Sequence, residues 1–361
     1  MSDDEEDIEN STRFKEFTLD CEKKPAKYIP PKIEFKSDLN NLSLETTLDF
    51  NDSILSSLKF FLGYIILNVN NSICFYDKIF NLTLKYEIFK KEDKDNEILG
   101  TQIFEEDNLI ISATDKVRIE KFYEKEPKKI THETIQEICD TEFYFLNKIL
   151  SNNYLLLSGL HKNYVFYQLE NPNEKFSSNN KFKEIGKIKQ IHNVYDDDVP
   201  DVIDLNNGRL FSWMNDDSNI KIVEYEPNIR ILKSKNGYQL HNAGLICDKY
   251  ICLMGLNYPQ YYTWLMDTET FEIVKTFETK ENDSFIGSIC EWKFFCGSEN
   301  SFRIENIKFE NGEFVKETLS TKSFNYNDDN WKESFFNVLV IDEKTFITYN
   351  LSGRLLVFKG E

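Results

Sequence analysis

Residues 263–282 read TWLMDTETFEIVKTFETKEN. An apolar run from Thr263 to Met266 ends in Asp267. A polar turn of Thr268, Glu269 and Thr270 follows, then an alternating run from Phe271 to Phe277. Alternation with period two marks a half-buried strand, and a polar turn between two such runs makes a hairpin. Whether this hairpin stands alone or belongs to a series decides the fold.

The same unit recurs along the chain. Its second strand and turn read YIILNVNNS (64–72), NLIISATDK (108–116), NYLLLSGLH (153–161), GRLFSWMNDD (208–217), KYICLMGLN (249–257), KFFCGSENS (293–301) and TFITYNLSG (345–353). A third strand follows each: ICFYD (73–77), VRIEKF (117–122), YVFYQLE (164–170), IKIVEYE (220–226), YTWLMD (262–267), FRIENIKF (302–309) and RLLVFK (354–359). In the clearest copies the fourth or fifth residue of this third strand is Tyr76, Tyr167, Val223, Met266 and Phe358. The 282 residues from first to last make six steps of 47, just above the roughly 40–45 of a propeller blade. Seven units predict an all-β chain, a seven-bladed β-propeller of four-stranded antiparallel blades. Copies two and six match the pattern least well.

Residues 205–223, LNNGRLFSWMNDDSNIKIV, resemble the end of a WD-repeat (β-transducin-like) blade, L-x-x-G-x-L-x-S-x-x-x-D-x-x-I-K-I-W. Asp217 matches the aspartate of the tight turn, Ser212 the small hydroxyl on the strand before it, and His192 the loop histidine. Val223 stands where the family has Trp, so the His–Ser–Asp–Trp set is incomplete. ICFYD and TWLMDTET resemble the same ending, with Tyr76 or Met266 for Trp and Asp77 or Asp267 for the final Asp. The resemblance is to a divergent member of the family, and it implies a scaffold for protein–protein interaction.

A circular sheet must close, because open edge strands invite aggregation. RLLVFKGE (354–361) is a third strand with nothing after it, so the last outer strand must come from the N-terminal side. LSLETTLDF (42–50) is the first candidate and FKEFTLD (14–20) the weaker one. Residues 1–41 read as a disordered acidic tail and linker, and 42–361 as the propeller. Residues 133–150 admit a helix as well as strands.

Composition narrows the function. A net charge of −19 disfavours DNA and anionic membrane surfaces. The 6 arginines are Arg13, Arg118, Arg209, Arg230, Arg303 and Arg354; no two are adjacent, so bidentate phosphate clamps are poorly provided for. Seven cysteines, never in CxxC spacing, read as small core hydrophobes of a reducing compartment. MSDDEEDIEN lacks the apolar stretch of a signal peptide, and the longest apolar run, residues 60–69, is too short to span a bilayer. These readings place the chain in the cytoplasm, with the nucleus as an alternative, and expect no membrane insertion.

No phosphate loop, nucleophile elbow or metal-ligand spacing is present, so neither catalysis nor a cofactor or metal is expected. His132, His161, His192 and His241 read as loop or surface residues. The inter-blade loops are acidic: KEDKDNE (91–97), YDDDVPD (195–201), ETKEND (278–283) and NDDNWKE (327–333). Converging carboxylates attract basic segments and speed association. The expected partner site comprises Asp196, Asp197, Asp198, Asp201, Asp216, Asp217, Asp328 and Asp329, with Trp213 and Trp331 as aromatic anchors. The bland alternative is a solvated edge of an acidic protein. The expected partners are other proteins with basic segments, met by a monomer within a complex. A constitutive structural subunit of a large assembly, such as a vesicle coat or RNA-processing particle, is the first alternative; a propeller enzyme is the second.

Overall fold

The computed structural model describes residues 35–37, 42–50 and 55–360, the last with short breaks of which 88–97, 193–199 and 324–334 are the longest. Within them, 28 strands form seven four-stranded antiparallel sheets. Blade one runs outward through Leu55–Phe61, Tyr64–Val69, Ser72–Tyr76 and Leu82–Glu87, and blades two to six repeat that order. The apolar run at 60–69 is thus a hairpin, turning at Leu62 and Gly63 with positive φ at both. Residues 133–150 contain strands: Lys129–Cys139 ends blade two and Tyr144–Ile149 begins blade three.

Blade seven is made from both ends of the chain. Its strands are Phe335–Val340, Thr345–Asn350, Arg354–Gly360 and, outermost, Leu42–Asp49. The closing ladder runs from Leu42 opposite Gly360 to Asp49 opposite Arg354. The inner strands of blades seven and one then pack together and shut the ring. The weaker closing candidate, 14–20, lies outside the described residues. Anchorage begins upstream of the expected boundary at 42: Phe35 is buried against Phe295 and Phe346, and Lys36 N–H donates to the Glu343 carbonyl.

Second and third strands are buried on both faces because each blade lies between two others, so Ser72–Tyr76 is buried throughout. Outer strands tend to alternate, most clearly in Ile273–Thr279. Every blade places a bulge at one point of its outer strand. The extra residue is Thr83, Ile135, Ile185, Leu232, Val274, Leu319 or Glu45 in blades one to seven. A bulge twists and blunts an edge strand against sheet-to-sheet pairing.

One equivalent position of the third strand faces this bulge in every blade. It holds Tyr76, Tyr167, Val223, Met266 and Phe358 in the five blades that match the repeat well, all buried. Blades two and six hold Glu120 and Glu305 there, which are 0% and 2% exposed. Each carboxylate accepts a hydrogen bond from the threonine opposite it, Thr134 at 2.8 Å and Thr318 at 3.0 Å. Arg303 lies 3.3 Å from Glu305, and His132 Nδ1 lies 3.4 Å from Glu120. Buried carboxylates persist only with such partners. These two polar substitutions are why copies two and six look least like the others.

The aspartates that end third strands cap the turns that follow. In the opening stretch, Asp267 Oδ1 accepts the N–H groups of Glu269 and Thr270, each at 2.9 Å, and Asp77 Oδ1 accepts Asn81 N–H at 2.9 Å. Burial pushes the Asp267 carboxyl up, but the Thr270 and Glu269 amides, the Thr270 hydroxyl and Lys249 outweigh it and hold the group below its ordinary value. A depressed carboxylate stabilises the fold above its ordinary pKa and loses that contribution as pH falls through the folded value. Asp267→Ala is therefore expected to cost about 1–2 kcal/mol at pH 7. The deficit should shrink towards pH 3 in urea titrations across that range. Removing residues 1–50 should abolish the single cooperative thermal transition and produce aggregates in size-exclusion chromatography, because the Arg354–Gly360 edge is left open.

Candidate interaction face

Blade four carries the best-described part of the expected partner site. Its strands are Asp201–Asp204, Arg209–Met214, Asp217–Glu224 and Arg230–Lys235. The connector to blade five bends at Gly237 (φ 97°), and the N–H groups of Gly237 and Tyr238 both donate to the Ser218 carbonyl. That contact ties an inter-blade connector to the turn between second and third strands, so here the two share one face of the ring.

Asp201 opens the inner strand opposite Trp213, and Met214, next along the chain, pairs with Asp217. Asp201 and Asp217 therefore stand at one end of one sheet, with backbones roughly 10 Å apart across two inter-strand spacings. Asp201 opens onto solvent, yet the surrounding wall pushes its carboxyl up, with Lys148 opposing. Trp213 is not an exposed anchor: it is 4% exposed and its ring lies against Phe211 in the core between blades four and five. The strand is covered on both faces, so the alternation that would have turned Trp213 outward does not operate. Asp196, Asp197, Asp198, Asp216, Asp328, Asp329 and Trp331 lie outside the described residues.

Beneath this face, His192 is buried and its Nε2 lies 2.9 Å from Ser212 Oγ. The partner missing from the blade's own sequence comes from its neighbour: Tyr164, in the third strand of blade three (Tyr164–Leu169), places its hydroxyl 2.6 Å from the same oxygen. Burial drives the Tyr164 phenol far above its ordinary value, with Ser212 opposing, so it stays neutral. A second tie between these blades uses Asp204, which accepts Ser151 N–H at 2.6 Å, Ser151 Oγ at 2.8 Å and the Tyr225 hydroxyl at 2.9 Å. Neither Tyr164 nor Ser151 is adjacent in sequence to what it bonds. The only sequence signal for Tyr164 is its separation of 48 residues from Ser212, one blade.

Of the other histidines, His132 sits on the outer strand of blade two and His241 on the inner strand of blade five; His161 lies outside the described residues. Cys74, Cys252 and Cys296 are free and buried, as core hydrophobes should be. Among the described residues, no three or more His, Cys, Asp or Glu side chains gather as a metal site requires, and no helix is long and apolar enough to cross a membrane.

No protein-family model matches the chain, and no curated protein sequence does. Solved structures match it over most of its length. The WD40 domain of Neurospora crassa Pan2 superposes with a TM-score of 0.60 at 8% identity, over 91% of this chain and 98% of that one. The fold is that of WD40 propellers. The WD40 domain of Toxoplasma gondii coronin follows (TM-score 0.59, 12% identity, 91% of this chain and 88% of that one). Chaetomium thermophilum Sqt1, bound to the N-terminus of ribosomal protein L10, matches at TM-score 0.58 and 9% identity, over 90% of this chain and 100% of that one. The architecture also serves an enzyme: virginiamycin B lyase from Staphylococcus aureus matches at 0.56 and 10% identity, over 88% and 99% of the two chains.

The WD40 reading makes Ser212 the centre of the blade-three to blade-four joint. Tyr164→Phe removes one neutral hydrogen bond and is expected to cost about 1 kcal/mol. Ser212→Ala withdraws the shared oxygen from both Tyr164 and His192 and is expected to cost about 2–3 kcal/mol by urea unfolding. Equal costs would mean that the three groups do not act as one network.

Proposed function

We propose that this propeller is a non-catalytic scaffold whose acidic loop face docks basic segments of partner proteins. The observation that carries the reading is the placement of Asp201 and Asp217 at one end of blade four. In sequence, Asp196, Asp197 and Asp198 stand between Asp201 and His192, which is bonded into the core. Carboxylates held on a rigid scaffold steer and orient cationic segments at little entropic cost. The WD40 neighbours support protein interaction in general, and the Sqt1 complex shows that a fold of this kind takes a chain terminus as ligand.

One observation favours a second reading, a structural subunit of a larger assembly. Exposed apolar residues occur singly on most outer strands. Blade six instead gathers Phe309 at 61%, Leu319 at 46% and Val315 at 39% exposure on its long outer hairpin, Ser301–Glu310 with Glu313–Ser323. Clustered exposed apolar surface marks interfaces more often than scattered residues do.

Affinity purification separates the two. The variant with Asp196, Asp197 and Asp198 all changed to Lys should lose its basic partners while keeping the wild-type melting temperature. A variant with Phe309→Ser and Leu319→Ser should retain them. If the triple variant keeps its full partner set and the blade-six variant loses it, the blade side is the interface and the acidic-face reading fails.

A further inference from the structure

Blade five departs from the repeat near the loop face. Four residues before the bulge-facing position of the third strand, the other six blades carry Ser72, Lys116, Asn163, Asn219, Ser301 and Arg354. All are polar. Blade five, whose bulge-facing residue is Met266, carries Tyr262 there. Two residues before Met266 stands Trp264, and no other blade is aromatic at that position. Both lie in Gln260–Asp267, near the end where that strand leaves the turn between second and third strands. Six blades pack without an aromatic at either place, so the core alone does not explain the pair.

Trp264 is 5% exposed and belongs to the core between blades four and five. The Tyr262 ring lies along it, with centroids 5.5 Å apart and planes 26° apart. Tyr238 meets it edge-on at 5.4 Å and 90°, so the two tyrosine rings are steeply inclined to each other. Tyr238 N–H donates to the Ser218 carbonyl at 3.2 Å, which ties this wall of the corner to blade four. Both tyrosines are half-buried, and neither hydroxyl has a hydrogen-bond partner among the described residues. Directly opposite Tyr262 on the outer strand Ile273–Thr279 is Glu278. Such cross-strand partners stand on the same face of the sheet, with Cβ atoms about 5 Å apart. Glu278 is exposed, and its carboxylate has neither an ion pair nor a hydrogen bond among the described residues.

We propose that this corner, formed by Tyr238, Tyr262 and Glu278 over Trp264, takes an arginine side chain from the basic segment of a partner protein. The inference rests on the acidic-face reading above and names the residue that the face reads. A guanidinium is planar and weakly hydrated, so it stacks on a tyrosine ring while its fork of N–H groups meets a carboxylate. A lysine ammonium is a strongly hydrated point charge and gains less from both contacts. Glu278 is also the first acid of the run ETKEND (278–283), whose charge favours a cationic guest.

The test measures fluorescence anisotropy of a short labelled peptide of alternating glycine and arginine, bound by the full chain in low-salt buffer. The same peptide with lysine, and with uncharged citrulline, in place of arginine gives the comparison. Wild type should bind the arginine peptide about tenfold more tightly than the lysine peptide, and the citrulline peptide least. Tyr262→Asn installs the residue that blades three and four carry at this position, and Glu278→Gln changes only an exposed carboxylate. Each should remove the preference for arginine while lysine-peptide binding stays within about twofold. An unchanged melting temperature of Glu278→Gln separates lost recognition from lost folding. Equal binding of the arginine and lysine peptides by wild type, or a preference that survives both substitutions, overturns the site and leaves the acidic-face reading standing. If wild type binds neither cationic peptide, both readings fall.

Discussion

The ladder between Leu42–Asp49 and Arg354–Gly360 is the constraint on which the other six sheets depend. A propeller blade has one buried edge and one exposed edge, and its two faces are buried only if neighbours stand on both sides. Removing one strand from blade seven exposes its third strand and loosens the packing of blade seven on blades six and one. The chain joins its two ends mainly through the backbone ladder, with Arg354 paired to Asp49 and Ser43 Oγ donating to the Lys359 carbonyl. It then reinforces the joint with Phe35 in the aromatic group of Phe295, Phe346 and Phe358. A side chain at Gly360 would run into Ser37, so the upstream segment lies directly against the closing strand. Stability in such a ring is a shared property of the circle.

Within the ring, blades are joined by packing where the repeat is apolar and by hydrogen bonds where it is not. Blades three and four use Tyr164, Ser212 and His192 near one face and Ser151, Asp204 and Tyr225 away from it. Blades two and six accept a buried glutamate at the position that is apolar or aromatic elsewhere, each with a threonine across the strand. These polar ties are directional, so they set blade orientation in a way that interchangeable aliphatic contacts do not. One of them holds His192, four residues before Asp196 in the chain.

The strand pattern, the count of seven and the closing segment at 42–50 are legible in the sequence because they follow from local rules. These are a period-two alternation, a turn after each run, and an edge that needs a partner. The turn role of Asp77 and Asp267 is legible for the same reason, since both bond to amides within four residues. The exposure of Trp213 was not legible. It sits beside a polar turn in sequence, but blade five covers it. Nor was the strand identity of 133–150, where an outer and an inner strand of successive blades meet and blur the spacing.

The sequence by itself therefore determined the repeat, its strands and the acidity of its connectors, all of which depend on neighbours a few residues away. Only the tertiary structure decided which blade lends Tyr164 to Ser212, that Asp201 and Asp217 share one end of blade four, and that blade five covers Trp213. Those contacts span about one blade or more. Their existence depends on inter-strand register and ring closure, and neither leaves a trace in local residue order.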